Sequence, residues 1–189
     1  VAYNGNPDTV GFPSVSSSIA WVGYPRLVNH YSFETLAEGV TPDAVSGYNM
    51  TVLSNDTGTD VPVLAAGVPE LAPAVSSLKF DNPRGTDPNT ADAQYAQVSE
   101  GWAGGYKDIT ISAWVYSSGG ANWNRILDFG SSTDNYIFLC LNPGSVNNAV
   151  RFAVKVAGTE QTVTSAAEAV PVGQWTFVTA TLIGNTARL

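Results

Sequence analysis

One histidine, His30, and one cysteine, Cys140, are the only side chains of their kinds in the 189 residues. A Ser/His/Asp triad would have to be built on His30. That residue sits beside Tyr31 and Phe33 in a strand-like run, and nothing nearby resembles a nucleophile elbow. Cys140 falls inside the apolar run Tyr136-Ile137-Phe138-Leu139-Cys140-Leu141, where a thiol acts as a small buried hydrophobe. A reactive thiolate would again need the single histidine beside it. Zinc would require more His or Cys than the chain holds, and one cysteine forms no disulfide within it. Carboxylates are the remaining catalytic currency. Retaining glycosidases need two of them roughly 5 Å apart, a spacing that positions i and i+2 on one strand supply. No core strand carries such a pair. Asp56 and Asp60 flank Gly58 in a turn-like segment, and Asp87 and Asp92 lie in a loop, so these read as solvated loop acids.

Aromatics are the better-placed chemistry. A sugar offers a flat apolar face edged with hydroxyls, which an exposed Trp or Tyr can stack against while amides bond the rim. The segment Gly120-Ala121-Asn122-Trp123-Asn124-Arg125 sets Trp123 between Asn122 and Asn124 in a Gly-rich turn. Asp134-Asn135-Tyr136 is a second site of this kind, and Trp102 lies in a third turn-rich stretch. For each ring two roles are open: stacking on a ligand, or covering the edge of the fold. Trp114 and Trp175 lie within strands and are expected in the core. Arg125, leading an apolar strand, is expected to pair with Asp128 or another acid.

The elements that must hold these residues are strands. Ile109 to Tyr116 alternates, with Ile109, Ile111, Ala113 and Val115 on one face and Thr110, Ser112, Trp114 and Tyr116 on the other. The run from Trp175 to Leu182 starts apolar on both faces, as a central strand does. Further strands are expected over Val28–Glu34, Ser77–Phe80, Gln94–Val98, Arg125–Phe129, Tyr136–Leu141, Ala149–Val156 and Gln161–Thr164. Turn residues separate them at Ser118-Gly119-Gly120, Asn142-Pro143-Gly144 and Ala157-Gly158. Ser165 to Ala169 could turn helically, but Pro171 stops it. The loops Ala65–Val75 and Asn82–Ala93 are long and polar or Pro-rich. Residues 1–25, rich in Gly, Pro, Ser and Asn, read as a linker or the tail of a preceding domain. Many short strands with almost no helix imply an all-β, two-sheet antiparallel sandwich or jelly roll over residues 26–189.

Composition narrows the partners. Hydrophobic residues make up 44% of the chain, enough for one sizeable core, and charged residues only 13%, which is low. A formal charge of −8 and no cluster of Lys and Arg in sequence argue against nucleic acid as a partner. The sequence contains no apolar stretch of membrane-spanning length. A surface of Ser, Thr, Asn, Gln and Gly fits a secreted or cell-surface β-protein. Two sequons, at Asn49 and Asn55, would matter only in a glycosylating host.

Several short segments recur together in order: His30-Tyr31-Ser32-Phe33-Glu34, Asp43-Ala44-Val45-Ser46-Gly47, Ser77-Leu78-Lys79-Phe80-Asp81 and Tyr95 with Val98. Asp108-Ile109-Thr110-Ile111-Ser112-Ala113-Trp114-Val115, Arg125-Ile126-Leu127-Asp128-Phe129-Gly130 and Gly173-Gln174-Trp175-Thr176-Phe177-Val178 follow. On these the chain from Leu27 to Leu189 resembles the laminin-G-like jelly-roll family of concanavalin-A-like domains. In that family further closing strands follow the stretch corresponding to 184–189. The resemblance therefore implies a sandwich lacking its last strands in this chain, which a second chain could supply. It also implies a structural calcium ion, with Glu34 as first ligand and Asp43 and Asp81 behind it, since Ca²⁺ takes oxygens from separate loops.

The fold hosts many functions. Three are in view. The first is a non-catalytic, carbohydrate-associated module of a secreted multidomain protein, such as a glycoside hydrolase, whose partners are a glycan or an adjacent catalytic domain. The second is an extracellular protein-interaction or adhesion module. The third, a polysaccharide-cleaving enzyme, lacks its carboxylate pair in the visible strands.

Overall fold

The computed structural model describes residues 26–54, 61–69, 76–81, 93–102, 105–120, 122–130 and 132–189. The opening segment to residue 25, the acids Asp56, Asp60, Asp87 and Asp92, the sequon at Asn55 and most of the two long loops lie outside them. The chain divides into two compact units, Val1–Trp102 and Ala103–Leu189. Among the described residues every element is a strand, every pairing is antiparallel, and no helix occurs.

In the first unit β1 (Val40–Thr41), β2 (Met50–Ser54) and β5 (Gln94–Val98) form one sheet in the order β1-β2-β5, while β3 (Val63–Ala66) pairs with β4 (Ser76–Lys79). The opening strand expected over Val28–Glu34 is not formed. Phe33 takes a left-handed φ of 56°, which no extended ladder accommodates. The segment is tied instead to a side chain, because the His30 amide donates to Asp43 Oδ1 at 2.8 Å. Two strands here had weak signals. Met50–Ser54 buries only Val52 fully, so its period-2 pattern is faint, and β3 takes in Ala65 and Ala66 from the stretch expected to be loop.

The second unit is a two-layer sandwich. One sheet runs β10 (Thr159–Thr164), β9 (Val150–Val156), β8 (Tyr136–Leu141), β7 (Asn124–Gly130), and the other β12 (Thr186–Arg188), β11 (Trp175–Ile183), β6 (Ile109–Tyr116). Alternation decides which residues meet between them. Leu139 and Leu141 from β8 and Val150 and Phe152 from β9 pack with Val178 and Ala180 from β11, and Ile111, Val115, Leu182 and Ala187 close the layer. Phe152 is only 1% exposed.

The outer face of β6 and β11 corrects one expectation. Trp114 is 42% exposed and Phe177 55%, with their rings 5.3 Å apart. Tyr116 meets half-buried Trp175 at 5.4 Å. The reason is register. Trp114 and Phe177 are cross-strand partners in the phase opposite to Ile111 and Val178, so neither indole enters the layer between the sheets. The aromatics instead pair with one another across the strands, as sheet faces favour.

Candidate ligand-binding face

The outer face of the β10-β9-β8-β7 sheet differs from that of its partner sheet: it is aromatic and cationic together. Cross-strand register lays it out in rows. Arg125, Cys140, Arg151 and Thr164 lie abreast, then Asp128, Phe138, Ala153 and Thr162, then Gly130, Tyr136, Lys155 and Glu160. β7 carries a bulge between Arg125 and Leu127. In a regular strand residues i and i+3 point to opposite faces. The extra residue brings Arg125 and Asp128 to the same side, where Arg125 Nε donates to Asp128 Oδ2 at 2.9 Å. The ion pair expected between them is formed.

Phe138 is the hub. The Arg125 guanidinium lies 4.1 Å above its ring centroid. Tyr136 stacks beside it at 5.4 Å, and Trp123 meets it edge-on at 6.5 Å. Trp123 keeps 41% of its surface exposed although its backbone is firmly held. It sits at a left-handed φ of 67°, and its amide donates to the Asn142 carbonyl at 2.7 Å. Gly144, at φ 77°, passes close to the indole: a Cβ there would lie 3.2 Å from Trp123 Nε1. Asn142 organises that loop, its Oδ1 accepting the Asn148 amide at 2.9 Å. Arg151 completes the group from β9, its guanidinium 5.3 Å over the Trp123 ring. Its Nε donates to Thr164 Oγ1 and its Nη2 to Ser145 Oγ, each at 3.0 Å. At the other end the Lys155 ammonium lies 5.5 Å from the Tyr136 centroid. An open cleft of about 670 Å³ runs along this face, lined among others by Arg125, Asp128, Ser132, Thr133, Tyr136 and Lys155.

The titrating groups suit binding better than proton transfer. The Tyr136 hydroxyl donates to Glu160 Oε2. That bond to a carboxylate raises its phenol above the ordinary value, so it stays a neutral donor at pH 7. Burial raises the Cys140 thiol, and Cys140 is fully enclosed, which makes it inert. Asp128 and Glu160 are each tied to a partner, Arg125 and Tyr136 respectively.

The expected ligand residues divide. Trp123 and Tyr136 are brought together through Phe138, and Asn122 is exposed in the turn beside Trp123. Asn124 stands opposite Leu141, in the phase that faces the partner sheet, so its side chain points away from the indole's face. Asn135 is used locally, its Oδ1 accepting the Ala157 amide at 3.0 Å. Trp102, half-buried, belongs to the first unit.

Glu34, Asp43 and Asp81 do not gather. Among the described residues no three His, Cys, Asp or Glu side chains converge on a possible ion. Asp43 is buried, and its carboxylate accepts from its own neighbourhood: Asn29 Nδ2 at 2.8 Å, the amides of His30, Val45, Ser46 and Tyr48, and Ser46 Oγ at 2.5 Å. Asp81 pairs with Lys79 at 3.6 Å, and Glu34 is exposed. Calcium needs six to eight oxygens. Here the buried carboxylate is saturated with donors, and among the described residues the buried oxygens lacking partners, Asn29 Oδ1 and Thr41 Oγ1, are only two. These residues, as placed, do not fit the ion.

Phe138, Arg151, Lys155, Asn142 and Gly144 are parts of the face that inspection of turns alone passes over. The strand alternation carried the signal for two of them: Arg151 and Lys155 occupy the non-core phase of β9, whereas β8 is apolar throughout and does not mark Phe138.

No curated protein and no solved structure matches the chain. A family does: Laminin_G_3, the concanavalin A-like lectin/glucanases superfamily, over residues 89–189. The match spans more than half of the chain and includes both sheets of the sandwich and the whole of the aromatic and cationic face. This chain therefore belongs to the concanavalin A-like lectin/glucanases superfamily, whose fold is the jelly-roll sandwich.

Proposed function

We propose that this domain binds carbohydrate on the outer face of the β10-β9-β8-β7 sheet, performs no chemistry itself, and serves an exported multidomain protein whose catalytic work on polysaccharide lies in another domain. One observation carries the reading. Trp123 from a turn and Tyr136 from β8 both meet the Phe138 ring, and the Tyr136 and Phe138 end of this row lines a cleft edged by hydroxyl, guanidinium and carboxylate groups. A sugar stacks on such a row and bonds to such a rim. The face's two acids support the non-catalytic half of the reading, since each is engaged by a different neighbour. Membership of a superfamily that includes lectins supports the carbohydrate half.

Affinity electrophoresis through gels containing plant, algal or animal polysaccharides tests it. Retardation by at least one polymer is expected. Trp123→Ala and Tyr136→Ala should each weaken it about fivefold, the size of one aromatic contact of about 1 kcal/mol. Absence of retardation on every glycan would overturn the proposal in favour of a protein-interaction role.

A further inference from the structure

We infer that the glycan taken by this face is anionic, a polysaccharide bearing carboxylate or sulfate groups; the inference rests on the carbohydrate reading above. The chain is acidic, with eight Lys and Arg against sixteen Asp and Glu. Yet three of the eight, Arg125, Arg151 and Lys155, stand on this one sheet face. Two of them stand outside any ion pair among the described residues. Arg125 is neutralised by Asp128, whereas among the described residues neither Arg151 nor Lys155 has a carboxylate within ion-pair distance. Glu160, abreast of Lys155, receives the neutral Tyr136 hydroxyl and keeps its charge, whereas the cross-strand neighbours of Arg151 are the uncharged Cys140 and Thr164.

Arg151 is also preorganised. Thr164 and Ser145 take two of its N–H donors, and the Trp123 ring lies under its plane. Three donors of its five remain, held in a fork that matches a carboxylate or sulfate. Lys155 stands four residues further along the same strand face, about 13 Å away at a strand's rise per residue. The small Ala153 lies between them and the Phe138 ring beside it. A neutral sugar needs only the rings and hydroxyls. A chain carrying acid groups at intervals would use the rings, the fork and the ammonium together. A nucleic acid shares the charge, but membership of a superfamily that includes lectins favours a polysaccharide.

The test is affinity electrophoresis and calorimetry on the whole chain with alginate, dextran sulfate, neutral dextran and a single-stranded DNA oligonucleotide. Binding to alginate or dextran sulfate is expected, with the stronger of the two telling carboxylate from sulfate, and it should weaken steeply with added salt. Lys155→Gln and Arg151→Gln should each reduce it about tenfold, the scale of one charge-assisted contact. Arg151→Lys should recover only part of the loss, because it restores charge without the fork. Unchanged thermal midpoints would establish that these variants are folded. Binding to neutral polymers alone, insensitive to Lys155→Gln, would overturn the anionic inference and leave the carbohydrate reading standing. Binding to no glycan would overturn both, and equal or tighter binding of DNA would overturn the choice of polysaccharide.

Discussion

Asp43 is a carboxylate surrounded by donors from its own loop, and that arrangement has a pH consequence. Burial by itself would raise its carboxyl. The hydrogen bonds from Ser46, His30 and Val45 override burial and hold it well below the usual carboxylate range. The folded chain therefore releases this proton more readily than the unfolded chain, whose Asp titrates near about 3.9. The stabilisation is complete above that value and is lost as pH falls through it toward the folded value. Asp43→Asn should lower stability at pH 7 by about 2–3 kcal/mol, since a buried charged acceptor is replaced by an amide that must turn one donor toward other donors. The difference between wild type and variant should shrink on acidification below about pH 4, measured as thermal midpoints across pH. A constant difference would show that the carboxylate's charge is not what the loop uses. Cys140 is the opposite case, a group made silent by enclosure. It should resist Ellman's reagent at pH 8 in the native protein and react as one thiol per chain once denatured. Rapid native labelling would contradict both its enclosure and its raised thiol.

At the scale of elements, alternation made most of the sandwich legible. β5, β6 and β8 occupy the expected bounds, and β7, β9, β10 and β11 differ only at their ends; in β6 and β9 the core residues hold one unbroken phase. Where alternation was thin it failed: β2 buries a single valine, and Val28–Glu34 was apolar enough for a strand yet follows hydrogen bonds to Asp43 that no periodicity encodes. The candidate face was half legible. Turn chemistry pointed to Trp123 and Tyr136. The bulge in β7 that turns Arg125 and Asp128 to the same side, and the register that sets Arg151 under reach of Trp123, exist only once strands are paired. The loop from Asn142 to Ala149 shows the same dependence and yields a test. Gly144→Ala places a methyl group against the indole at a left-handed φ, costing about 1–2 kcal/mol in backbone strain alone. It should also displace Trp123, read as a shift in tryptophan emission and a weaker retardation on the glycan that binds. An unchanged spectrum would mean that the loop yields elsewhere and that Gly144 does not set the ring's position.

At the scale of the sandwich, each sheet has one face committed to the core and one that is not, and both uncommitted faces are aromatic. They are built differently. The outer face of β8 buries Phe138 to 5% exposure under Arg125 and Trp123. The outer face of β6 and β11 leaves Trp114, Tyr116 and Phe177 open, with Trp114 paired to Phe177 and Tyr116 to Trp175. Burial rather than aromatic character should therefore decide what stability each ring contributes. Phe152→Ala removes a ring enclosed between the sheets and should cost about 3–5 kcal/mol. Phe177→Thr puts a β-branched residue, also favourable in a strand, in its place and loses one exposed aromatic pair, so about 0.5–1.5 kcal/mol is expected. Urea unfolding followed by circular dichroism separates the two, with the Phe152 variant's midpoint falling several times further at an unchanged slope. Comparable losses would mean that the Trp114–Phe177 face is as deeply packed in solution as the layer around Phe152, and the sandwich would then have a second apolar layer outside β6 and β11.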